Sequence, residues 1–285
     1  MKYFWQAALG LAAGLALAQP PANQQPRRKR VDMTTLVRPI PMHDTVWIQD
    51  MTLLEIRDSI KAGKTTALIL VGGMEDNGPY VTVSQHDDVI RYLGEKIARQ
   101  LGNALCAPVV AMAPGNPETS DSPGSIVLSS QTYIHVLEDM GESLKAQGFK
   151  NILFLVDHGG DTKGAIEAAN ALSDKWKGTG VRSIYVAPYY NYDAVEKFQH
   201  DVLDVHEKSM DGYHDDYYSA VMSLVIDPNG VRMPERKKAH KTTINGLDLA
   251  SPRAIQDGKK ILAYRTDVAV KAIHQLLADS SANGN

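Results

Sequence analysis

Cysteine is almost missing: Cys106 is the only one in 285 residues. An intrachain disulfide is therefore excluded, as is a metal centre built on thiolates. Cys106 sits in an apolar run and reads as a small buried residue, not a nucleophile. Long hydrophobic runs are missing too. The apolar stretch at residues 7–18 falls short of the roughly 20 residues a membrane-spanning helix needs. Charge of one sign is not in excess: the formal net charge is -3, which argues against a nucleic-acid partner. Several motifs are absent: a G-x-S-x-G elbow, a G-x-x-x-x-G-K-[ST] phosphate loop, and a G-x-G-x-x-G turn after a strand. His206-Glu207 lacks the second His of H-E-x-x-H. No internal repeat is visible.

What is present begins with Met1-Lys2, the apolar run 7–18, and the small-x-small triplet Ala16-Leu17-Ala18. This pattern predicts a signal peptide over residues 1–18, cleaved on export, and a periplasmic or secreted protein with no membrane span afterwards. An uncleaved anchor is the alternative. Residues 19–45 are rich in Pro, Gln and charge and read as an extended linker or arm. Its basic cluster Arg27-Arg28-Lys29-Arg30 reads as a solvated tail. Residues 46–279 read as one domain, and 280–285 as a disordered tail.

Within that domain short apolar runs alternate with helical spacing. Residues 67–71, 108–112, 151–156 and 181–187 read as strands. Residues 88–101, 131–147, 162–176, 217–225 and 259–278 read as helices. The alternation predicts an α/β fold, a mostly parallel sheet flanked by helices. Ligands of such sheets sit at the carboxyl ends of the strands. The loops after residues 71 and 156 are the most polar and Gly-rich segments of the chain, and should open on one edge. They carry Glu75, His86 and His158. Two imidazoles and a carboxylate are donor types for zinc or a similar ion with a position left open for water. Asp87 and Asp88 read as caps of the following helix, and Asp161 as a cap of the helix from Thr162. Tyr189, Tyr190 and Tyr192 could line a pocket or serve packing alone.

Residues 70–80 (LVGGMEDNGPY) resemble the signature loop of the creatininase (creatinine amidohydrolase) family, roughly P-V-G-S-x-E-x-H-G-P-H-L-P-x-x-T-D. Pro123-Gly124-Ser125 resembles its P-G-T segment, and Asp157-His158-Gly159-Gly160-Asp161 resembles N-G-H-G-G-N. Residues 246–260, ending Asp257-Gly258-Lys259-Lys260, resemble the G-K segment before the last helix. The resemblance implies a creatininase-like fold and a two-metal hydrolase of amide C–N bonds. It also shows departures. Asn77 stands where the family has a ligand His, His86 where it has a bridging Asp, and Gly160 where some members have a carboxylate. These departures predict one divalent ion, zinc first with manganese or iron as alternatives, held by Glu75, His86 and His158. Asp215 falls on a further family Glu and is a candidate fourth ligand or general base; His214 and Asp161 are candidates for moving protons.

The expected function is an exported metal-dependent hydrolase of a small amide, lactam or related C–N bond. The alternatives are a lactonase, a metal-assisted isomerase or lyase, and a non-catalytic ligand-binding relative. The partner is a small-molecule substrate. The resemblance also implies a homo-oligomer, with a hexamer as the family's common form.

Overall fold

The computed structural model describes residues 32–207 and 216–282. The expected signal peptide, the basic cluster, and the candidates His214 and Asp215 lie outside the described residues. The chain divides into two units, Met1–Val37 and Arg38–Asn285. In the first, Asp32 accepts hydrogen bonds from the Thr34 amide and hydroxyl within a turn. The second unit holds every helix and strand described.

Its elements in chain order are α1 (Leu53–Lys61), β1 (Thr66–Val71), α2 (Gln85–Leu101), β2 (Ala104–Cys106), α3 (Ser130–Gln147), β3 (Asn151–Val156), α4 (Thr162–Lys175) and β4 (Arg182–Tyr185). There follow α5 (Tyr192–Leu203), α6 (Tyr217–Ile226), α7 (Met233–Lys238), a small hairpin of β5 (Thr243–Ile244) and β6 (Leu247–Asp248), and α8 (Pro252–Ala282). β1 to β4 form one parallel sheet in the order β2-β1-β3-β4. The expected α/β class with helices flanking a parallel sheet is therefore what the chain adopts.

Strand periodicity explains the two layers. Every residue of β1 and β3 is buried. Alternate side chains point to opposite faces. Leu68, Leu70, Leu153 and Leu155 pack with α2, α6 and α8, whereas Ile69, Val71, Phe154 and Val156 pack with α3 and α4. A strand covered on both sides must be apolar throughout, which is why these two runs were legible.

Some boundaries moved. The strand expected at 108–112 is Ala104–Cys106, and Val110 contributes only an isolated bridge to Val71. Pro108 has no N–H to donate to a ladder, so pairing cannot run through it. α8 begins seven residues earlier than expected and continues to Ala282, past the 279 boundary. α1, α5, α7 and the hairpin were not read from the sequence. α1 carries a full capping box, in which Thr52 and Glu55 satisfy each other's backbone amides.

For function one pairing matters most. β1 and β3 are neighbours in register from Thr66↔Asn151 to Val71↔Val156. Their carboxyl ends are level, and the Asp157 amide donates to the Val71 carbonyl at 2.9 Å. The loops after the two strands therefore start side by side.

Candidate active site

The loop after β1 turns at once. Gly73 has φ +137°, a region that favours glycine, and its amide donates to Asp87 Oδ1 at 2.9 Å. Asp87 therefore ties the loop to the start of α2 and does not cap the helix as expected. Ser84, the N-cap residue of α2, makes no side-chain capping bond; its hydroxyl donates to Asp88 at 3.0 Å. Burial pushes the Asp87 carboxyl up to about 6.

This tie brings Glu75 to the first turn of α2. His86 Nε2 lies 2.7 Å from Glu75 Oε1, and His158 Nε2 lies 3.1 Å from Oε2. The two rings are 5.3 Å apart, centre to centre. Three residues from separate segments thus converge where the sequence placed them. Burial acts to raise the Glu75 carboxyl, but the hydrogen bonds with His158 and His86 outweigh it and hold the group well below the usual carboxylate range. For His158 burial works downward, while its bonds to Asp161 and Glu75 lift the imidazole to about 10.

Asp161 is wholly buried, and its Oδ1 lies 3.0 Å from His158 Nδ1. It stands at the start of α4 without capping it. Its place behind the imidazole makes it a positioning residue, acting through His158. The Asn77 amide nitrogen donates to the Thr82 carbonyl at 3.1 Å and so serves the loop's shape. At Gly160 an added Cβ would come within 2.8 Å of His158 Cε1, so the imidazole occupies the space a carboxylate side chain would need. As placed, the donors close on one another. Among the described residues, no group of three or more His, Cys, Asp or Glu side chains stands ready to hold a metal ion.

The convergence lines a cleft of about 190 Å³, below the roughly 300–1,000 Å³ of drug-sized ligand sites. Its apolar lining comes from Tyr190, Tyr192, Tyr218 and Met222. Tyr190 and Tyr192 are therefore pocket residues, whereas Tyr189 is buried in packing beneath the Arg265 guanidinium, 4.8 Å from its ring centre. The sequence reading missed Asp216 and Arg265, which also line the cleft. Asp216 caps α6 through the Ser219 amide at 2.6 Å, and burial pushes its carboxyl up to about 6. Arg265, on α8, forms a buried ion pair with Asp157. A signal for Arg265 existed: it interrupts the apolar stripe of Ile261, Ala269 and Ile273 at four-residue spacing. Cys106 is buried with its thiol pushed up by burial, as a packing residue should be.

The sequence profile of the creatininase family, described as creatinine amidohydrolase, matches residues 49–270. The chain belongs to the creatininase family. Solved creatininases share the fold. A tryptophan-to-alanine mutant of creatininase superposes with a TM-score of 0.62 at 16% identity, covering 81% of this chain and 98% of that one. A creatininase in its Mn form gives 0.59 at 15% identity, covering 83% and 98%. A Zn-Zn creatininase with a glutamate-to-glutamine change gives 0.58 at 14%, covering 84% and 99%. No curated protein matches the chain in sequence. At these identities the creatininase structures speak for the fold, and the site must be read from this chain's own residues.

Proposed function

We propose that this creatininase-family protein is an exported, metal-dependent hydrolase of a small amide, lactam or related C–N bond. The observation that supports it best is the meeting of Glu75, His86 and His158 at the carboxyl edge of the sheet, inside a small cleft. Family members solved in Mn and Zn-Zn forms point the same way.

The donor chemistry fits one divalent ion. Two imidazoles and one carboxylate are the donor types that zinc or a similar ion takes, and the contacts of 2.7 and 3.1 Å that now join them are hydrogen bonds. Glu75, His86 and His158 would exchange these mutual bonds for the ion. Bound there, the ion would polarise the scissile carbonyl and supply a water ionised near neutral pH. Asp161 fixes the His158 tautomer, keeping Nε2 turned to Glu75. Tyr190 and Tyr218 narrow the cleft and limit the water that reaches the reacting bond. His214 and Asp215 are our candidates for proton transfer on sequence grounds alone, Asp215 because it falls on a family Glu.

Asn77 and Gly160 provide no second ligand set, so one ion per chain is expected. Metal counting by mass spectrometry on the purified protein tests this. Two tightly held ions would contradict the ligand assignment. No ion, with amide hydrolysis indifferent to chelator, would overturn the metal-dependent reading.

A further inference from the structure

Tyr192 opens α5 at the cleft, and His200 stands near the other end of that helix, about 12 Å along its axis. There the chain turns back. Asp204 takes a left-handed conformation with φ 52°, and the Val205 amide donates to the Gln199 carbonyl at 3.0 Å. Arg253, on α8, donates to the Leu203 and Asp204 carbonyls at 2.5 and 3.1 Å. Leu203 and Val205 are buried, so the turn is anchored on the core. This reversal lays His206 against His200. The ring centres are 4.3 Å apart, with planes at 90°.

Each ring is held by its own carboxylate. His200 Nδ1 lies 2.8 Å from Asp201 Oδ1, and His206 Nε2 lies 2.9 Å from Asp204 Oδ1. An ionised carboxylate can only accept, so each of these nitrogens carries the proton. The opposite nitrogens, His200 Nε2 and His206 Nδ1, keep their lone pairs, and among the described residues neither makes a hydrogen bond. Imidazoles that bind metals are oriented in this way, with the far N–H given to a carboxylate. The turn itself adds a second argument. Glycine adopts a left-handed position without steric cost. An aspartate there brings in the carboxylate that orients His206. Lys197 pairs with Asp201, which leaves the Asp204 carboxylate to offset an incoming positive charge.

We propose that His200 and His206, oriented by Asp201 and Asp204, form a surface metal site distinct from the cleft. It takes one borderline divalent ion, Cu2+ ahead of Zn2+, through His200 Nε2 and His206 Nδ1. The order follows from the preference of nitrogen donors for copper. Both side chains are more than half exposed, at 61% and 53%, so small turns about χ2 direct the two lone pairs to one ion. Two protein donors hold an ion less firmly than the three of the cleft. This ion therefore exchanges and is lost on desalting, and the count of tightly held ions stays at one. Water, or a donor from another molecule, fills the remaining positions.

The test is binding of the metal alone, apart from turnover. Cu2+ is titrated calorimetrically into the full-length protein as purified, and the bound ion is read by electron paramagnetic resonance. The wild type should take up an exchangeable Cu2+ whose spectrum shows coupling to two imidazole nitrogens. His200→Ala and His206→Ala should each weaken this site by at least about tenfold. Both side chains are exposed, so both variants should fold, and any amide turnover should match the wild type. Asp204→Gly separates orientation from packing. Its melting temperature should hold or rise, because glycine suits the left-handed turn, while copper affinity falls by about 10–100-fold. Identical copper isotherms in the wild type and both histidine variants would overturn the inference. Weakening in only one of them would overturn it as well, since a single imidazole would then be at work. Unchanged affinity in Asp204→Gly would remove the orienting carboxylate from the proposal and contradict it as stated.

Discussion

His158 touches two carboxylates with opposite circumstances. Glu75 faces the cleft; Asp161 is sealed behind the ring. Replacing Asp161 by Asn removes the charge that orients the imidazole while keeping the volume. We expect kcat/KM and metal affinity to fall by about 10–100-fold, with substrate KM little changed. Metal titration and steady-state kinetics on Asp161→Asn check this. Asp216 gives a prediction in pH. Burial, with Glu207 nearby, raises its carboxyl from 3.8 to about 6, while His86 acts in the opposite direction. A carboxyl raised in the folded state contributes its full stability below its unfolded value and loses it as pH rises through the folded value. Asp216→Asn is free of this loss. The melting temperature of the variant should therefore gain on the wild type between pH 4 and pH 7, by the equivalent of roughly 2–3 kcal/mol. Parallel melting curves across that range would disprove the assignment. Glu75, His86 and His158 could be read from the sequence because Glu75 and His158 follow strongly apolar strands and His86 stands in the first turn of a helix. Asp216 could not, because its role depends on where α6 lands.

At the level of elements, close approach decides more than hydrophobicity. α8 crosses α6 at Gly258, where an added Cβ would stand 2.2 Å from the Val221 carbonyl oxygen. Backbone cannot step aside as a flexible side chain can. Gly258→Ala should cost more than about 2 kcal/mol and lower Tm by several degrees, as calorimetry would register. Asp257 accepts the Tyr217 hydroxyl at 3.0 Å at the same crossing. The Asp257-Gly258 pair, noticed in the sequence as a family-like segment, thus has a packing explanation. β1 and β3 were legible because burial on both faces demands an unbroken apolar run. β2 was not: its three residues are too few to set a pattern, and the stronger run at 108–112 drew the assignment away. α5 was missed although its apolar positions are amphipathic, because its Tyr-rich approach reads equally well as a loop.

Across the whole molecule, one buried ion pair joins segments 108 residues apart. Arg265 reaches from α8 to Asp157, the residue before His158. Removing the cation would leave a carboxylate without its partner in the interior. Arg265→Met should therefore destabilise the fold by about 3–5 kcal/mol. The double variant with Asp157→Asn should recover part of that loss. Denaturant titration of both proteins measures the difference, and equal stabilities would show that the pair contributes only packing. Here an arginine on an apolar helical stripe was a legible hint, but it named no partner. Partnership of this kind depends on the strand order, which no local pattern encodes.

The same pair sets an order of events during synthesis. A ribosome delivers Glu75, His86 and His158 well before Arg265. Until that last residue emerges, Asp157 has no counter-charge and the neighbouring loop has no reason to settle. An ion meeting the nascent chain would find its ligands present but unsupported. The site therefore matures late, and a chain cut short within α8 should carry every proposed metal ligand and still fail to form the cleft.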